Sequence, residues 1–118
     1  MHRHPDLVPL SREHHAPLRL GKHLVAGRGQ DELARMRPAL LAHFRDEERE
    51  LLPLLEGRGE HLLAQRLKAE HAALEALIDA VLQGERLAET GRALIEHVRF
   101  EERELFPRVE VFLEQAVS

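Results

Sequence analysis

Apolar residues recur along this chain three, four and seven positions apart, the spacing of a helix face, in four consecutive stretches. Residues 1–10, with two prolines, are expected as an extended arm packed through Leu7, Val8 and Leu10. Ser11 offers an N-cap for a first helix to about Ala26, and Gly27-Arg28-Gly29-Gln30 reads as a turn. Asp31 can cap a second helix with Leu33, Met36, Leu40, Phe44, Leu51 and Leu55 on one face, ended by Gly57-Arg58-Gly59. A third from about Glu60 carries Leu63, Leu67, Leu74, Ile78 and Val81 and stops near Gly84. A fourth, to about Gln115, carries Leu94, Val98, Leu105, Val109 and Phe112. No stretch alternates with period two, so no strand is expected. Short links between long amphipathic helices predict an all-α fold. It is an antiparallel up-down-up-down four-helix bundle with an N-terminal arm, one domain over residues 1–118.

The helices carry an internal repeat. Residues 39–56, ALLAHFRDEERELLPLLE, return at 93–110 as ALIEHVRFEERELFPRVE, with eleven of eighteen positions identical. His43 falls on His97 and Glu47 on Glu101, and four residues is one turn, so each copy sets an imidazole beside a carboxylate. Pro53 and Pro107 also correspond, and each is expected to kink or close its helix. A fainter match at an offset of 57 puts Glu13-His14 on Glu70-His71, making the chain two copies of a helical hairpin. The match favours His14 over His15 as the inward residue, on a face with Leu18, Gly21 and Val25. Pro17 distorts that first turn and leaves the choice between the two histidines open.

Six polar groups thus aim at one core: His14, His43, Glu47, His71, His97 and Glu101. Burying a single unpartnered polar group costs roughly 2–7 kcal/mol, and a domain's whole stability is about 5–15 kcal/mol. A metal turns that liability into a centre, since it accepts every lone pair. Four imidazoles and two carboxylates without sulfur suit iron, manganese or zinc. Shared carboxylates suit two cations, with positions left free for a small ligand. Iron is the expected metal, as N/O ligation with vacant sites is the arrangement that handles oxygen.

Composition narrows the rest. A net charge of −4, with both signs interspersed, offers no footprint for nucleic acid. Apolar runs of only a few residues indicate neither a membrane span nor a secretory leader, and the cytoplasm is the expected location. Without cysteine there is no disulfide, thiolate ligand or thiol nucleophile. Tyrosine and tryptophan are absent, so no radical relay runs through them. No glycine-rich phosphate loop occurs, nor the Glu-x-x-His spacing of ferritin-like di-iron proteins.

From SREHH at residue 11 through HVRFEERELFP ending at 107, the chain resembles the hemerythrin-like (HHE cation-binding) domains. Their pattern H…HxxxE…H…HxxxE falls on His14, His43 with Glu47, His71, and His97 with Glu101. The resemblance implies a non-heme di-iron centre bridged by the two carboxylates, and binding or sensing of dioxygen, iron or nitric oxide. Oxygen carriers of the family have a further histidine one turn beyond the third-helix one, where this chain has Glu75. The match is therefore to the members of more varied role.

The expected function is a di-iron module that binds dioxygen or a related small molecule for sensing, storage or detoxification. The alternatives are an enzyme on the same centre, peroxidase-like or nitric oxide-reducing, or a bundle with a purely structural metal. Glu75 reads as a solvated helix residue, with a ligand role as the alternative. The repeated Glu48-Arg49-Glu50 and Glu102-Arg103-Glu104 read as a solvated charged face. His2, His4, His23 and His61 lie outside the repeated frames and are expected exposed. Phe44, Phe100 and Phe106 are expected in the core, Phe44 beside the metals.

Overall fold

Four helical rods build the fold in the computed structural model, which describes residues 3–117 and side chains as far as residue 115. In chain order they are α1 (Val8–Arg12) with α2 (His15–Val25), then α3 (Gln30–Gly57), then α4 (His61–Leu82). The last is α5 (Leu87–Phe100), continued by a π-helical segment (Glu101–Leu105) and α6 (Phe106–Val117). No described residue forms a strand.

Among its described residues the arm is not extended throughout. Residues 5–7 turn and Val8 begins α1, with Leu7 and Leu10 buried against the bundle. Nor does one helix run from Ser11. Pro17 has no N–H to bond the carbonyl of Glu13, so the chain breaks after Arg12 and restarts at His15. In the first turn of α2 the missing donor is harmless, because such N–H groups lack helical partners anyway. Ser11 lies inside α1 rather than capping it. Asp31 is no cap either. Gly29 takes φ 100°, open to glycine, so α3 starts at Gln30 and Asp31 joins Glu32 in a first turn that favours negative charge.

The core is two apolar clusters. One gathers Leu10, Leu51, Leu55, Leu67, Leu105 and Phe106 with their neighbours, the other Leu20, Leu33, Phe44, Leu74, Ile78 and Leu94. On α3 the chain leaves the second cluster at Phe44 and enters the first at Leu51; on α4 it passes from Leu67 back to Leu74. Successive rods therefore run in opposite directions, and in each the boundary between clusters falls at a histidine or glutamate.

Close approach of α2 and α5 is set by Gly21 and Gly91. A Cβ on Gly91 would meet the Gly21 carbonyl at 2.5 Å and the Val25 nitrogen at 2.8 Å, so α5 has no room for a side chain there. Of the two outcomes expected at the prolines, a kink or a closed helix, closure does not occur at Pro53: α3 runs through it, and also through Pro38. Ahead of Pro107 the turn widens into the π segment. The wider turn accommodates the proline ring and its missing N–H, which would otherwise crowd and orphan the Arg103 carbonyl.

Candidate metal centre

At the boundary between the two clusters, His14, His43, Glu47, His71, His97 and Glu101 are all buried. Each rod delivers its share: His14 just ahead of α2, His43 and Glu47 from α3, His71 from α4, His97 from α5, and Glu101 from the start of the π segment. The Nε2 atom of His14 lies 2.9 Å from Glu101 Oε1 and 3.8 Å from Glu47 Oε2. His71 Nε2 lies 3.0 Å from Glu47 Oε1. His43 Nε2 is 3.4 Å from Glu47 Oε2, and His97 Nε2 is 3.1 Å from Glu101 Oε1, both one turn along their own helix.

Neither of those last two contacts has the alignment of a hydrogen bond. Nε2 of His43 and of His97, and Oε2 of Glu47 and of Glu101, are buried with no partner. Four orphaned polar atoms in one interior are rare in a folded protein and expensive. A cation is the partner that suits them all. Ligand atoms of His14, His43, Glu47 and Glu101 lie within 4.8 Å of one another, as do those of Glu47, His71, His97 and Glu101. Both groups could hold an ion, and both include the two glutamates.

The other imidazole nitrogens are fixed from outside. Nδ1 of His43 meets Glu13 Oε1 at 2.7 Å, and Nδ1 of His71 meets Glu48 Oε2 at 2.7 Å. Nδ1 of His97 meets Glu70 Oε1 at 2.6 Å, and Nδ1 of His14 meets Glu102 Oε2 at 2.7 Å. Each rod thus grips the histidine of the next one, and the last returns to the first. A carboxylate on Nδ1 holds the proton there, turns the Nε2 lone pair inward and raises its basicity. Phe44 stacks on His71 at 4.4 Å between centroids, and Phe106 on His14 at 5.5 Å.

The buried carboxylates raise the proton affinity of the imidazoles around them. Burial alone would lower the pKa of His14, but bonding to Glu101 and Glu47 outweighs it and raises it to about 10. At His97, burial is likewise overcome by Glu101 and Glu70, reaching about 9. His43 also rises against its burial, through Glu47 and then Glu13. Glu47 is held well below the usual range: burial opposes this, but bonding to the Glu101 carboxyl, and then to His14, His43 and His71, favours its charge. Glu101 is pushed up by burial and by Glu47 beside it, since two adjacent carboxylates resist double ionisation.

All six residues singled out in the sequence meet here, and His14 enters while His15 is exposed. Glu75 stays outside, accepting a hydrogen bond from Arg45 at 2.8 Å. Glu48 and Glu102 are not a solvated face: they belong to the outer carboxylate ring with Glu13 and Glu70. The signal for that ring was the repeated Glu-His and Glu-Glu doublets. His61 is exposed, but His4 and His23 are half-buried, His23 bonded to Glu32 at 2.9 Å; His2 lies outside the described residues. Phe44, Phe100 and Phe106 are core. No described helix is long and apolar enough to cross a membrane.

A protein-family model, described as the Hemerythrin HHE cation binding domain, matches residues 7–109. No curated protein and no solved structure matches the chain.

Proposed function

Since the chain belongs to the hemerythrin HHE cation-binding domain family, we propose that its buried cluster holds two iron ions and binds dioxygen or a related small molecule there. One observation carries the reading: Glu47 and Glu101 are common to both candidate groups, as carboxylates bridging two cations would be. His14 and His43 would complete one ion's protein ligands, His71 and His97 the other's. Four protein ligands per ion leave positions for an exogenous molecule. Bound iron would supply redox activity and vacant coordination sites.

The chain's own part is positional. The outer carboxylates fix each ring's tautomer and aim its Nε2. Phe44 and Phe106 cover His71 and His14 with apolar faces and keep bulk water off the cluster. Such a lining retains a neutral molecule and slows its hydrolytic release. Sensing, storage and detoxification all use this chemistry.

Metal analysis with absorption spectroscopy tests it. Purified protein should carry two irons per chain and, after anaerobic reduction, give a new band with dioxygen that reverses under vacuum. Turnover of peroxide instead would recast the centre as an enzyme. Unchanged stability without metal, and no oxygen-dependent band, would overturn the reading.

A further inference from the structure

The cluster is sealed on most sides. Glu47 and Glu101 are fully enclosed, and the stacked rings of Phe44 and Phe106 cover His71 and His14. His43 is the most exposed of the six, at 6%. It also lines a recess of about 210 Å³ in the seam between α2 and α3. Ala16, Pro17, Met36 and Ala39 form apolar walls, and Glu13 with His43 forms the polar end. A second cleft, in the α2–α5 seam, reaches Glu102 but none of the six, and is rimmed by Lys22, Arg99 and Arg103. The Gly21–Gly91 contact draws that seam tight.

We infer that the α2–α3 recess is the port by which a small uncharged molecule reaches the metal pair, with Glu13 at its mouth turning anions away. The inference rests on the proposed small-molecule chemistry and adds which class of ligand is admitted. The volume suffices: a water occupies about 30 Å³, so the recess holds a diatomic molecule with room to move. The walls offer such a molecule no competing hydrogen bond. Glu13 is 53% exposed, whereas Glu48, Glu70 and Glu102 are 22–28% exposed. Its charge therefore stands in the path of anything approaching His43, and an anion entering an apolar recess meets repulsion as well as desolvation.

Two measurements decide it. In zinc-loaded protein under dioxygen pressure, paramagnetic relaxation of the Ala16, Ala39 and Met36 methyl signals should exceed that of Leu62, which stands in open water. Relaxation no greater than at Leu62 overturns the port, whatever iron does. In ferrous-loaded protein, Ala39→Phe fills the recess from an exposed wall, and should slow nitric oxide association about tenfold or more with metal content unchanged. Leu18→Phe, in the other cleft, should leave the rate alone. Equal rates in Ala39→Phe and wild type would overturn the port while leaving the proposed function standing. If wild type forms no nitric oxide adduct at all, the proposed function fails and the relaxation measurement alone decides the port. Glu13→Gln should speed azide about tenfold relative to nitric oxide; an unchanged ratio overturns the charge filter.

Discussion

Glu101 and Glu102, consecutive in the chain, take the two ring nitrogens of His14 between them: Glu101 Oε1 lies 2.9 Å from Nε2 and Glu102 Oε2 2.7 Å from Nδ1. Glu47 and Glu48 do the same to His71, at 3.0 and 2.7 Å. One glutamate of each doublet faces the buried cluster and the other stands behind the imidazole.

Alanine substitutions should therefore give a graded result. Glu47→Ala or Glu101→Ala should abolish stable loading of both ions, because each is shared by both groups. Glu48→Ala or Glu102→Ala should weaken affinity by about 10–100-fold without changing stoichiometry. Titration against a competing chelator reads both. Equal effects from the two kinds of glutamate would show the division to be wrong.

His14→Ala and His15→Ala separate neighbours. His14 is in the cluster and His15 is exposed, so metal content should fall only in the first. Metal analysis after dialysis checks this. Loss confined to His15→Ala would move the ligand by one residue.

Metal-free protein should lose stability as the solution becomes alkaline. His14 and His97 are raised from 6.5 to about 10 and about 9, so in the folded state they bind protons more tightly than when unfolded. That contribution is complete below about pH 6.5 and disappears as pH rises through 9 and then 10. Chelator-treated protein should melt lower at pH 10.5 than at pH 7, by on the order of 10 °C. Cation loading near pH 7.5 should expel about two protons per chain, detectable with an indicator dye in weak buffer. Loading without proton release would contradict the protonated cage.

Gly91→Ala should destabilise the fold by about 1–3 kcal/mol, since its Cβ would lie 2.5 Å from the Gly21 carbonyl. Gly57→Ala meets nothing within 4 Å, and should be neutral or stabilising by up to about 1 kcal/mol. Denaturant titration of the metal-loaded variants compares them.

The helices and the six converging residues were legible because heptad-like spacing and the duplicated His-x-x-x-Glu frame both mark the inward face. The outer ring was not. Glu13, Glu48, Glu70 and Glu102 occupy flanking positions where a charged residue usually meets water, and only the return of the rods beside one another turns each toward a foreign histidine. The face of α2 was misread for a related reason. His14 precedes the regular helix, so extrapolating from it selected Val25, which is 43% exposed, whereas Pro17, Leu20, Gly21 and Leu24 are the buried set. The π segment left no trace in the hydrophobic pattern: Pro107 announced a disturbance, but the equivalent Pro53 is absorbed by α3 without one.

The two hairpins exchange partners: Glu48 of the first serves His71 of the second, and Glu102 of the second serves His14 of the first. Neither half can complete its own set of supports, yet each supplies what the other lacks. That is the reciprocity of a twofold dimer. Two copies of one such hairpin, paired about a twofold axis, would assemble the same cage.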